Sequence, residues 1–207
     1  MINPQYQFFI QGYPTNLFQY WASDAQTGYE IFPTNGVASP NANWNASGFI
    51  SITGGNRYYP TEKYNGAFYD AKKRYISGWR ITDFSSATDR MSLLAPPNAR
   101  YMRISVRPAI WQSFTIYEYR ATRPIYKDDL AKEYELETNQ RFYRAKLSGK
   151  ISFIRDDYDF IRSQPFATKF VTLIYQSDDL GQTWFEYFRG KFMNTDCEFN
   201  DDDKKVQ

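Results

Sequence analysis

The sequence predicts an all-β protein of two antiparallel β domains, and three observations carry that prediction. Aromatic side chains are dense: 17 Phe, 18 Tyr and 5 Trp make up 19% of the 207 residues, and such rings favour the half-buried pleat of a strand. Short stretches alternate apolar and polar residues with a period of two. Gly, Pro and Asn separate these stretches at the short intervals that turns require. No internal repeat and no low-complexity tract breaks the pattern.

Along the chain, Gly48 to Thr53 reads as a strand that gives way to a turn at Gly54-Gly55-Asn56, and Arg57 to Tyr59 resume the extended pattern before Pro60. Gly66 to Asp70 and Arg74 to Trp79 flank Ala71-Lys72-Lys73, a connection of hairpin length. From Arg100 to Arg107, Met102, Ile104 and Val106 fall on one side and Arg103, Ser105 and Arg107 on the other, as in a strand with one buried face. Trp111 to Tyr119 alternates in the same way. A helix-like stretch follows Arg123-Pro124, from Lys127 to Glu135, with Asp128 and Lys132 one turn apart. It marks the expected division into a β-sandwich over 1–122, a connector over 123–140 and a β assembly domain over 141–207. In the last of these, strands are expected at Phe142 to Ile154, Lys169 to Gln176, Thr183 to Arg189 and Lys191 to Phe199. Phe199 to Gln207 reads as a turn into a strand completed by another chain or a further segment.

Composition excludes several chemistries. With no His, there is no Ser-His-Asp or Cys-His relay and no His-ligated zinc. The single cysteine, Cys197, forms no intrachain disulfide and no Cys-only metal site, and reads as a small buried residue on a strand. A formal charge of +2, with Lys72-Lys73-Arg74 as the one compact basic run, is too small and too dispersed for a nucleic-acid partner. The first residues lack the features of a signal peptide and no window has about 18 apolar residues, so neither export nor membrane insertion is expected. There is no Gly-rich phosphate loop and no G-x-S-x-G elbow. No catalytic residue, cofactor or metal is expected.

Three groups of residues invite a functional reading. Ser177, Asp179, Gly181, Thr183 and Trp184 fit S-x-D-x-G-x-T-W, the Asp-box of sialidases and other β proteins. Its chemistry is that of a hairpin: Asp179 accepts backbone N–H groups, Gly181 supplies a positive φ and Trp184 packs beneath. Asp156, Asp157 and Asp159 are the densest carboxylate cluster, but no D-x-D-x-D-G loop follows, and a solvated turn is preferred to a calcium site or an acid/base pair. Among Trp21, Trp44, Trp79 and Trp111, the turn-like surroundings of Trp44 and Trp79 select those two as a glycan-stacking platform, with Arg57 or Arg80 as hydrogen-bond donors.

Residues 16 to 119 resemble a module found in tail and adhesion proteins of tailed phages, including those infecting gut Bacteroides, and in surface proteins of their hosts. The likeness rests on Asn16-Leu17-Phe18, Asn43 to Ile50, Phe68 to Gly78 and Ala95 to Ser105. Leu147 to Phe153, Asp156 to Ile161 and Phe188 to Phe192 are similar to segments of tail structural proteins in crAss-like and related phages. The resemblance implies a jelly-roll β-sandwich of galactose-binding type, followed by a domain used for assembly. It also implies a homo-oligomeric virion component of tail, baseplate or fibre, assembled in the host cytoplasm with other tail proteins and touching host surface polysaccharide. The alternatives are a bacterial carbohydrate-binding module and a glycan-processing enzyme of Asp-box type.

Overall fold

The computed structural model describes residues 5–12, 16–61, 64–80, 93–126, 131–136, 143–148 and 150–207. The protein is antiparallel β throughout its described sheets, with one α-helix among the described residues. It divides into two compact units, Pro14–Tyr119 and Met1–Tyr13 with Arg120–Gln207.

In unit Pro14–Tyr119, one sheet runs in the order β2 (Gln26–Ile31), β3 (Ala38–Ala46), β9 (Tyr101–Val106), β6 (Asn65–Tyr69) and β7 (Tyr75–Trp79), with β4 (Ile50–Ser51) also paired to β9. The second is formed by residues 116–119 of β10 (Ile116–Thr122), β5 (Arg57–Pro60) and β8 (Leu93–Leu94). On β9 the expected single buried face is corrected, because Arg103 and Ser105 are buried on one side while Met102, Ile104 and Val106 on the other are buried in one apolar core. That core also takes Ile50, Phe68 and Trp79 from the first sheet and Tyr58, Leu93 and Ile116 from the second. Two sheets sharing one core make this unit a β-sandwich. Each fully buried aliphatic chain contributes roughly 1.5–3 kcal/mol.

The other face of the first sheet is also covered. Ile31, Ala46, Ala67 and Tyr69 form a separate buried cluster, because the β2–β3 hairpin lies against it. The Ile31 N–H donates to Ser105 Oγ at 2.6 Å, and Asn65 Nδ2 donates to Glu30 Oε1 at 2.7 Å. At the hairpin tip, Tyr69 Oη donates to the Gly36 carbonyl (2.5 Å) and Tyr75 Oη to that of Pro33 (2.7 Å).

The other unit begins with the first strand of the chain. β1 (Gln5–Gln11) pairs along its whole length with β15 (Lys169–Ser177), from Gln5 opposite Ser177 to Gln11 opposite Val171. It meets only residues 120–122 of β10 on its other side, and β16 (Phe185–Met193) follows β15. The expected 1–122 domain therefore loses its first strand, and its other boundary falls at Tyr119/Arg120. Phe8, Phe9 and Ile10 are consecutive and all buried, as in a central strand covered on both faces. A second sheet has the order β11 (Ile125–Tyr126), β14 (Ile151–Ile154), β18 (Lys205–Val206), β17 (Phe199–Asn200). The strand expected to be completed from elsewhere is β18, paired on both sides within the chain. Ile10, Phe170 and Phe192 pack with Phe153 and Val206 across the core.

Four further expectations are corrected. Of the helix-like stretch, residues 127–130 lie outside the described residues, and the rest is in strand β12 (Ala131–Leu136), paired residue for residue with β13 (Tyr143–Ser148). A cross-strand partner overrode the helical spacing, which one i,i+4 charge pair supports by only about 0.2–0.5 kcal/mol. The carboxylate cluster is not a turn but the first turn of helix α1 (Asp156–Ser163), where acidic side chains meet the positive end of the helix dipole. Asp157 also accepts the Arg123 N–H (3.0 Å), and Tyr158 and Ile161 enter the core. The strands expected at Thr183 to Arg189 and Lys191 to Phe199 are replaced by β16, which runs through Gly190 to Met193. A short 3-10 turn at Asn194–Asp196 follows, with half-buried Cys197 just beyond it rather than on a strand.

Candidate functional site

The four residues expected to form a stacking platform do not converge. Trp79 lies in the sandwich core at 7% exposure, edge-on to Tyr64 (5.5 Å between ring centroids) and tilted against Phe68 (4.7 Å). Its place is made by Gly66, opposite it in register, where a Cβ would stand 2.4 Å from the indole Cζ2. The neighbouring Gly78 reads as a turn residue in sequence but is a point of close approach, since its Cβ would stand 2.1 Å from the Pro33 carbonyl oxygen. Trp79 is therefore a core residue, and stacking on an external ligand is closed to it. Arg57 is buried on β5 of the other sheet, and Arg80 is exposed just beyond β7. Trp111 is also in the core, edge-on to Phe18, whereas Trp21 is the most exposed of the five tryptophans and stands edge-on to Tyr20.

Trp44 is half-buried rather than enclosed, and the backbone explains why. The β2–β3 register changes from Thr27 opposite Asn45 to Tyr29 opposite Pro40, so Asn41, Ala42, Asn43 and Trp44 face the single residue Gly28. Such a bulge bends its strand and re-aims the side chains on it. Gly28 takes φ +73°, the left-handed region open to glycine, and its N–H donates to Asn45 Oδ1 at 3.0 Å. Asn41 fixes the bulge from inside: its Oδ1 accepts the Asn43 N–H (3.1 Å) and its Nδ2 donates to Glu30 Oε2 (2.7 Å).

Beside the bulge stands Arg107, which sequence reasoning did not select. β3 and β9 pair Asn45 with Val106, which brings Trp44 alongside Arg107, and the guanidinium carbon lies 5.9 Å from the indole centroid. That distance is at the outer limit of a cation–π contact. Arg107 is exposed and leads into the 3-10 turn Pro108–Ile110. The result is one accessible indole beside amide and guanidinium hydrogen-bonding groups on a braced bulge. Arg107's place in the polar row Arg103, Ser105, Arg107 was legible, but its neighbour across the sheet was not.

Arg103, in the same row, is spent on structure. At 9% exposure its Nε donates to the Ser47 carbonyl (2.9 Å) and its Nη2 to Gln26 Oε1 (3.2 Å), while its guanidinium carbon lies 5.0 Å from the Phe49 ring centroid. Burial lowers its pKa from the ordinary arginine value.

Ser177 to Trp184 form a closed hairpin. Asp179 Oδ1 accepts Ser177 Oγ (2.7 Å) and the Thr183 N–H (2.8 Å), and Oδ2 accepts Thr183 Oγ1 (2.5 Å). The Gly181 N–H donates to Ser177 Oγ (2.8 Å), and Trp184 Nε1 to the Gly181 carbonyl (3.0 Å). Leu180 and Gly181 carry the positive φ angles of the turn, +59° and +85°. Its own hairpin thus engages both oxygens of the carboxylate. These bonds, first among them that from the Thr183 hydroxyl, hold the Asp179 pKa at about 2 instead of 3.8. A depressed carboxylate pKa gives stability that is full above the unfolded value and lost as pH falls through the folded one. Acid titration of wild type should therefore show loss of stability between pH 3.8 and about 2 that Asp179→Asn lacks. Identical acid limbs for the two proteins would remove this role.

Among the described residues, no group of three or more His, Cys, Asp or Glu side chains is placed to hold a metal ion, and no helix is long and apolar enough to cross a membrane. No family model, no curated protein and no solved structure matches the chain.

Proposed function

We propose that the chain is a non-enzymatic structural protein of a tailed-phage virion, part of a tail, baseplate or fibre, which assembles with its own copies and neighbouring tail proteins. In this reading, unit Pro14–Tyr119 touches host surface polysaccharide through Trp44 and Arg107. The observation that carries the glycan part is the bulge Asn41–Trp44, which presents an indole beside Asn43 and Arg107 on a strand braced from within. Aromatic faces stack on the apolar faces of sugars, and flanking amide and guanidinium groups hydrogen-bond their hydroxyls. Two antiparallel β units and the resemblance to phage tail modules support the structural role.

Such contacts are weak singly and become effective when several copies engage one polymer. The test is therefore made on the assembled protein with an array of bacterial surface glycans. Trp44→Ala is expected to leave the melting temperature nearly unchanged and to weaken binding by about 1–3 kcal/mol per site, the range measured for base stacking on aromatics. An array on which wild type binds nothing, or binding that Trp44→Ala leaves intact, removes the glycan reading. Antibody labelling of virions tests the structural role, and label absent from the particle defeats it.

A further inference from the structure

Strand β16 ends its sheet. Eight of its nine residues pair with β15 on one side, and among the described residues no strand is hydrogen-bonded to the other, although β13 lies close to β16. A long open edge is a template for another strand, and its side chains determine which strand fits.

The register shift at Ile174/Tyr175 pairs Phe188 with Ile174 and Glu186 with Tyr175, leaving Tyr187 as the extra residue. Tyr187 and Phe188 both turn to the apolar cluster containing Phe8 and Ile174. Glu186 and Arg189 therefore share the opposite side, where Arg189 Nη2 lies 2.8 Å from Glu186 Oε2 and Nε donates to Oε1 at 3.1 Å. Strand alternation puts Lys191 on that same side. It puts Phe185, 48% exposed, on the side of Phe192, which packs against the core.

We infer that β16 pairs antiparallel with β16 of a second copy, about a two-fold axis beside Arg189. Glu186 of each copy then faces Lys191 of the other, and Phe185 of each covers Phe192 of the other. The two Arg189 side chains meet at the centre, each already neutralised by the two-point contact with its own Glu186. Equivalent residues across a two-fold must satisfy one another, and this register does so for both the charged and the aromatic positions. A lysine on an edge ordinarily repels strand addition, so Lys191 excludes strands that offer no acid at that position. The inference gives the assembly part of the reading above a surface, and rests on that reading only for the expectation that copies associate.

The experiment is a charge swap on the full chain, with the dissociation constant read by light scattering across a concentration series. Lys191→Glu leaves the Glu186–Arg189 pair in place and should weaken association about tenfold or more. Glu186→Lys should weaken it further, since it also strips Arg189 of its neutralising partner, and the double variant Glu186→Lys/Lys191→Glu should associate measurably better than Glu186→Lys alone. Amide exchange over residues 185–193 should slow as wild-type concentration rises, a readout that needs no variant. A wild type that stays monomeric, single variants that associate like wild type, or a double variant that recovers nothing would each overturn the pairing. Assembly that survives both swaps would move the interface elsewhere and leave the virion reading standing. The Trp44 glycan test is decided separately.

Discussion

Trp79→Ala is expected to destabilise unit Pro14–Tyr119 by about 3–5 kcal/mol, the cost of emptying a large aromatic site in a packed core. The indole is 7% exposed and held between Tyr64, Phe68 and the space above Gly66. Its N–H finds no hydrogen-bond partner among the described residues, a burial that costs about 1–3 kcal/mol. The ring's buried area outweighs this, since an aromatic side chain buries roughly 150–250 Å², and at about 25 cal/mol per Å² that is about 4–6 kcal/mol. Trp79→Phe keeps an aromatic ring and removes the unpaired donor, so it should cost far less than the alanine change. Urea denaturation of both variants makes the comparison, and an alanine variant as stable as wild type would mean that the indole is not in the core. Trp44→Ala is the contrast, with little effect on folding.

Gly78→Ala should cost about 3 kcal/mol, at the upper end of what overpacking usually does. The added methyl would stand 2.1 Å from the Pro33 carbonyl oxygen and 2.8 Å from that of Gly66, and both are backbone atoms that cannot rotate away. The Pro33 segment would have to lift, breaking the bond from Tyr75 Oη to Pro33 (2.7 Å) and loosening the turn that Phe32 and Gly36 close. Calorimetry gives the stability, and faster amide exchange in residues 32–37 would locate the damage. Unchanged exchange there would show that the hairpin tip is not held by this contact.

What the sequence revealed was local. The alternation over Tyr101–Val106 marks the face that joins the apolar core, though not the cover over Arg103 and Ser105, and the hairpin from Asn65 to Trp79 follows from a short connection. Its turn is closed by Asp70, whose Oδ1 accepts the Lys72 and Arg74 N–H groups. The hairpin over Ser177–Trp184 is equally local. What escaped depends on partners distant in sequence. Ala131–Leu136 is a strand because Tyr143–Ser148 pairs with it. Gly78-Trp79 resembles a turn until Pro33 and Gly66 are placed beside it. Arg107 joins Trp44 through a β3–β9 register that no periodicity encodes.

The pairing of β1 with β15 also sets an order of events during synthesis. Residues 5–11 leave the ribosome more than 150 residues before their longest partner, Lys169–Ser177. Everything needed for unit Pro14–Tyr119 emerges in between, so that unit is free to fold while the opening strand, with Phe8, Phe9 and Ile10, still lacks its main partner. A nascent chain stalled before residue 169 should already protect the sandwich from protease while residues 5–11 remain cleavable. The unpaired FFI run makes this an interval in which the chain exposes apolar surface open to aggregation.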